Sequence, residues 1–184
     1  MPGTNRTQAR RHPEGVSTGL DFASFYAASR PTLLRTTYAV TGDRQLAEDA
    51  VQVAFAKAYA VWGRVARADD PTAYVRRIAI NAALGHGRRA FFRRETSTDR
   101  LPDRAADPGM DALERDEVWR AVRALPPRQR AVVVLRYYED LSEQQIADVL
   151  GCRPGTVKSQ ASAALATLRA RMSTDLNASE GDRA

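Results

Sequence analysis

The sequence predicts an all-α chain of two small helical bodies joined by an acidic linker, the second body containing a helix-turn-helix. Three observations predict it. Apolar residues recur at three- and four-residue steps along most of the chain, and no window alternates with period two. The composition breaks once, between Thr96 and Gly109, where "TSTDRLPDRAADPG" gathers prolines, aspartates and a glycine. The stretch "GCRPGTVKSQ", Gly151 to Gln160, has the form of a joint between two helices.

Residues 1–18 are polar and are expected to be a disordered tail. The first body is expected over 19–94. It opens with "LDFASFYAASRPTLLRTTYAVTG", a helical pattern that Pro31 restarts or kinks. From Asp43, a plausible N-cap, Ala47, Ala50, Val51, Ala54, Phe55, Ala58, Tyr59 and Trp62 form one helix face, and Gly63 marks its end. Asp70 caps the next helix and Pro71 suits its first position. It runs to about Arg89, although Gly85 and Gly87 favour fraying near 85.

After the linker, 95–111, the second body is expected over 112–172. "DALERDEVWRAVRAL" is amphipathic, with Leu113, Val118 or its neighbour Trp119, Val122 and Leu125 inward. "PPRQR" ends it and starts "AVVVLRYYEDL". Ser142 caps "EQQIADVLG", and the last helix runs from Pro154 to Met172. Gly151 occupies the position where the first helix of the pair must end with positive φ. Ile146 and Leu150 face Val157, Ala161, Ala164, Leu165 and Leu168. An ordinary αα-hairpin is the competing reading. Residues 173–184 are expected to be a second polar, disordered tail.

Charge and composition narrow the function. The chain carries net +6. Residues 20–94 hold twelve basic side chains against six acidic ones, 116–172 hold nine against six, and 95–115 reverse the balance with three against six. Two basic bodies on an acidic tether suit nucleic acid, with solvated surface charge as the plain alternative. One cysteine, Cys152, excludes an intramolecular disulfide framework. His12 and His86 have no carboxylate cluster around them, so no metal site and no cofactor is expected. No apolar run reaches the roughly 18 residues of a membrane span, and the N-terminus has no export pattern, so a cytoplasmic protein without membrane insertion is expected. Phosphate-binding glycine loops and nucleophile elbows are absent, which argues against an enzyme.

If the helix-turn-helix binds DNA, its second helix presents Arg153, Thr156, Lys158, Ser159 and Ser162. Arg153 and Lys158 reach phosphates or guanine edges, and the hydroxyls are short donors. Ala163 and Ala166 further along add nothing polar, so this helix reads weakly by itself. In the first body, Arg76 to Arg94 contains six arginines and no acid. Arg77, Asn81 and Arg88 share a helix face that can track phosphates, with Asn81 able to pair with a base edge. Tyr74 and Trp62 are stacking candidates, with core packing the favoured reading of both. Cys152 reads as a turn residue, because no second cysteine could resolve an oxidised thiol.

At "RAVRALPPRQRAVVVLRYYEDLSEQQIADVLGCRPGTVKSQASAALATLR" the chain resembles the second conserved domain of bacterial RNA polymerase sigma factors of the extracytoplasmic-function (ECF) group. "LLRTTYAVTGDRQLAEDAVQVAFAKAYAVW" and "PTAYVRRIAINAALGHGRR" resemble the first. Within the group, "TVKSQ" points to an actinobacterial, sigma-E-like subfamily. The resemblance implies a dissociable polymerase subunit and not an enzyme. Its partners would be core RNA polymerase, through the beta-prime and beta subunits, promoter DNA and an anti-sigma factor. It implies that Asp49, Gln52, Ala56 and Lys57 meet core polymerase. It also implies that Tyr74, Arg76, Arg77, Asn81, Arg88 and Arg89 meet the melted minus-ten element. The helix-turn-helix then takes the minus-thirty-five element. The departures are glycines at 85 and 87, and Gln160, Ser162 and Ala163 where many relatives carry basic residues. The alternative function is an autonomous dimeric helix-turn-helix regulator, which leaves the block 20–94 unexplained.

Overall fold

The computed structural model describes residues 20–93 and 117–181, which fold into eight helices. The expected tail 1–18 and linker 95–111 lie outside the described residues. The helix α1 spans Phe22–Thr41. Asp21 caps it, accepting from the Ser24 backbone N–H at 2.9 Å. That bond and a second from the Ser24 hydroxyl hold the Asp21 carboxyl below its ordinary pKa. Pro31 lies inside α1 without ending it. The missing N–H costs one rung, but Phe25 before it and Leu33, Leu34 and Tyr38 after it are buried, which holds both halves of the helix in register.

The helix α2, Arg44–Ala60, starts on Asp43, which accepts from Leu46 N–H at 3.0 Å. Ala47, Ala50, Val51, Ala54, Phe55 and Ala58 are buried as the spacing predicts. Tyr59 is not: it is 67% exposed. The end of α2 also differs from expectation. The chain leaves the helix at Val61, and Gly63 sits inside the single turn α3, Trp62–Val65. The helix α4 spans Pro71–Arg93, with Asp70 accepting from Ala73 N–H at 2.9 Å. Gly85 is interior to it, so glycine weakens the helix there without stopping it.

The second body contains α5 (Glu117–Arg123), α6 (Pro127–Tyr137), α7 (Glu143–Leu150) and α8 (Pro154–Gly181). Of the two residues offered for the inner face of α5, Trp119 packs on the core and Val118 is 53% exposed. Trp119 and Val118 lie three and four residues before Val122, so spacing alone does not choose between them. The helix α8 runs past Met172 to Gly181. No proline or glycine interrupts 156–180, so composition alone does not end it there.

Leu135, Ile146, Ala147, Val157 and Ala164 are essentially fully buried in the second body. The same apolar cluster takes in Ala39 and Val40 from α1 and Ile80 from α4. The two bodies therefore lie against each other, α6 on α1 and α7 on α4.

Gly151 ends α7 with φ 61°, the left-handed conformation, and its N–H returns to the Ala147 carbonyl. A Cβ there would meet nothing within 4 Å, so substitution tests the backbone alone. Gly151→Ala is expected to cost about 1–2 kcal/mol from left-handed strain, measured by urea denaturation. A loss near zero would mean that the turn relaxes to another conformation.

Candidate nucleic-acid interface

Ser142 and Gln145 form a reciprocal cap on α7. The Gln145 N–H donates to the Ser142 hydroxyl at 3.3 Å, and the Ser142 N–H donates to the Gln145 side-chain oxygen at 2.9 Å. This fixes where α7 starts, and Gly151 fixes where it stops. Val157, Ala161 and Ala164 of α8 are buried against it, with Leu165 and Leu168 half-buried. Arg153, just before α8, and Thr156, Lys158, Ser159 and Ser162 on its leading turns are left exposed. The positive end of the helix dipole and two cations converge there, an arrangement that attracts phosphate. The Ser159 hydroxyl donates to the Thr156 carbonyl at 3.0 Å, which orients it. Ala163 and Ala166 are exposed and apolar, as read from the sequence. Cys152 is half-buried and packs on the core.

The basic helix α4 divides its side chains. Arg77 is exposed. Arg76 turns to the second body, where its Nε lies 3.2 Å from Glu139 Oε2. The side chains of this ion pair are only 14% and 9% exposed. Asn81 donates through Nδ2 to the Arg77 carbonyl at 2.8 Å and to the Val149 carbonyl of α7 at 2.7 Å. Tyr74 is half-buried on the first body's core. A cavity of about 420 Å³ opens between Lys57 of α2 and Tyr74, Arg77, Ile78, Asn81 and Ala82 of α4. Arg88 and Arg89 belong to α4, but their side chains, like that of His86, lie outside the described residues. Trp62 is half-buried and packs against the first body's core. Its indole donates to the Leu20 carbonyl at 3.1 Å, and its ring lies 5.1 Å from those of Phe22 and Phe25.

On α2, Asp49, Gln52, Ala56 and Lys57 are exposed on a surface opposite the buried alanines. Asp49 accepts from Gln45 at 3.0 Å and is otherwise turned to solvent. The exposed apolar side chains Val53, Tyr59 and Tyr26 flank this surface, which reasoning from periodicity missed because it assigned Tyr59 inward.

Further contacts join the bodies at the C-terminus of α1. Arg123 of α5 donates to the Gly42 carbonyl at 3.2 Å and lies 5.9 Å from the Tyr38 ring centroid. Arg130 donates to the Arg123 carbonyl at 2.7 Å. Burial, with the like charge of Arg123 beside it, lowers the Arg130 pKa from the ordinary guanidinium value. Among the described residues no cluster of three or more histidine, cysteine or acidic side chains could hold a metal. Among them, too, no helix is long and apolar enough to cross a membrane.

A basic helix on one body and a helix-turn-helix on the other are the parts of a DNA-binding protein, and two family matches place it in the sigma-70 class. Residues 25–91 match Sigma-70 region 2, and 115–168 match Sigma-70, region 4. The chain is 37% identical over 161 residues to the RNA polymerase sigma-E factor of Streptomyces antibioticus, covering 86% of this chain and 89% of the relative. It is 33% identical over 153 residues to the ECF RNA polymerase sigma factor SigL of Mycobacterium tuberculosis, covering 79% and 85%. The fold is similar to that of the sigma factor RpoE of Bartonella quintana, solved in complex with the anti-sigma factor NepR. The TM-score is 0.64 at 23% identity, over 84% of this chain and 98% of that one. The chain belongs to the ECF RNA polymerase sigma factors, on the sigma-E-like side that "TVKSQ" predicts. It directs RNA polymerase to promoter DNA.

Proposed function

We propose that the exposed surface of α2, with Asp49, Gln52, Ala56 and Lys57, seats the chain on core polymerase in the cytoplasm. Carboxylate and amide suit a basic partner surface. The helix α4 then holds the opened minus-ten strand through Arg76, Arg77, Arg88 and Arg89. Asn81 reads a base edge and Tyr74 lines the adjoining cavity. The front of α8 takes the minus-thirty-five element. Each reader is weak alone and effective when polymerase holds both, because tethering raises the effective concentration of the second. The chain acts as a binding subunit without chemistry of its own. An anti-sigma protein, the kind of partner in the RpoE–NepR complex, is proposed as its regulator.

The observation that carries this reading is the division of α8. Val157, Ala161 and Ala164 are buried in the core, while Thr156, Lys158, Ser159 and Ser162 are exposed on its first turns, with Arg153 exposed just before them. The test is run-off transcription with core polymerase on candidate promoters. A promoter-dependent transcript is expected. Absence of both a transcript and core binding would overturn the assignment. For Arg153→Ala with Lys158→Ala, the salt dependence of holoenzyme–promoter affinity should flatten by about 0.9 in log–log slope per lost phosphate contact, roughly 1.8 for the pair. An unchanged slope would remove both cations from the interface.

A further inference from the structure

Two arginines are brought together at the end of α1, and no carboxylate is brought with them. Arg123 is the last residue of α5, and Arg130 lies in the first turns of α6. Gly42 ends α1 with φ 68°. A Cβ placed on it would lie 3.3 Å from Arg123 Nε and 3.4 Å from Arg130 Nη1. Both guanidiniums therefore crowd one point, beside a residue that has no side chain. Each is held there by a neutral acceptor, Arg123 by the Gly42 carbonyl and Arg130 by the Arg123 carbonyl. Among the described residues no carboxylate forms an ion pair with either. Asp43 adjoins Gly42, but its Oδ1 accepts from Leu46 N–H at the start of α2. The C-terminus of α1 offers only about half an elementary negative charge, against two full positive ones.

The imbalance is sharpest at Arg130. Its Nε is buried and has no acceptor. A buried N–H left unpaired is costly, and more so on a charged group. Burial, with the charge of Arg123 beside it, lowers the Arg130 pKa, which is the same imbalance seen in titration. We propose that Arg123 and Arg130 form a binding site for an oxyanion of the phosphate class. A tetrahedral dianion balances both charges. Its several oxygens accept from two guanidinium forks at once, Arg130 Nε included. Glycine at 42 belongs to the site, because a side chain there would press on both guanidiniums. None of the residues assigned to polymerase or promoter takes part, so the site stands whether or not those assignments hold.

The test titrates the full chain with inorganic phosphate in chloride buffer at constant ionic strength and reads the phosphorus-31 line width. Saturable broadening is expected with a Kd of about 1 mM, the strength of a few charge-assisted hydrogen bonds. Arg123→Gln, at an exposed position, is expected to weaken binding about tenfold or more. Arg130→Gln should do the same, with its far-UV circular dichroism melt showing that it folds; Arg123→Gln decides the matter if it does not. Arg128→Gln makes the same charge change on an exposed residue of α6 outside the pair and should bind like the parent chain. Adenosine monophosphate separates the sources: binding as tight as that of inorganic phosphate assigns the site to the phosphoryl group of a nucleotide, and exclusion confines it to the free ion. Unsaturable broadening in the parent chain would overturn the site. Equal losses in Arg123→Gln and Arg128→Gln would also overturn it, because the effect would then be net charge alone. A mixed-sequence duplex that needs Arg123 while inorganic phosphate does not bind would replace it with a DNA backbone contact.

Discussion

Ile146→Ala is expected to destabilise the second body by about 2–5 kcal/mol, the range for truncating a large apolar side chain in a well-packed core. Ile146 is 0% exposed on the short helix α7. Around it lie Leu135 of α6, Val157 and Ala161 of α8, and Leu150 one turn along. Those neighbours belong to three helices of fixed phase, so the space left by three lost carbons cannot close by one side chain moving. The helix α7 has only eight residues and is too short to persist by propensity alone. Its angle to α8 depends on this packing, and that angle sets how α8 enters a groove. The measurement is urea denaturation followed by far-UV circular dichroism. A loss below about 1 kcal/mol would show that the seam re-forms around alanine. If α8 takes the minus-thirty-five element and α2 seats polymerase as proposed, minus-thirty-five binding should fall with stability while core binding remains.

What the sequence made legible was local. Asp43, Asp70 and Ser142 were identifiable as caps because a cap bonds two or three residues ahead, within one turn. Gly151 was identifiable because one backbone conformation demands it. The exposed residues of α8 followed from the phase of Val157, Ala161 and Ala164, which periodicity gives directly.

The departures have specific causes. Gly63 and Gly85 look like stops, yet a glycine in a helix costs only about 1 kcal/mol, and tertiary packing exceeds that. Tyr59 has the spacing of a core residue but sits at the edge of the stripe, where the Phe22 ring of α1 meets it edge-on at 4.9 Å and leaves most of it exposed. Most instructive is Arg76. A run of arginines without acids reads as a free cationic face, because the carboxylate that pairs with Arg76 lies beyond the linker, in "YYEDL". Asn81 and Val149 are 68 residues apart, and Thr36 and Glu139 are 103 apart. No periodicity encodes which distant turn will meet which helix. That information resides in how two separately legible bodies fit.

Asp49→Arg carries the largest expected functional effect. Asp49 is exposed on α2 and bonds only Gln45 among the described residues, so its replacement should change folding stability by less than about 0.5 kcal/mol. If this surface docks a basic site on core polymerase, reversal sets like charges in contact. That costs several kcal/mol, which corresponds to a loss of about 100-fold or more in affinity. Gln52→Ala, one turn on, removes a neutral contact and should lose less than tenfold. The measurement is fluorescence anisotropy of the labelled chain titrated with core polymerase, repeated at raised salt. The gap between Asp49→Arg and the parent chain should shrink as salt screens the repulsion. A parent-like Kd for Asp49→Arg would move the polymerase contact off α2. The flanking apolar residues Tyr26, Val53 and Tyr59 would then have no charged neighbour to orient a partner, and the two-point grip on the promoter would lose its anchor.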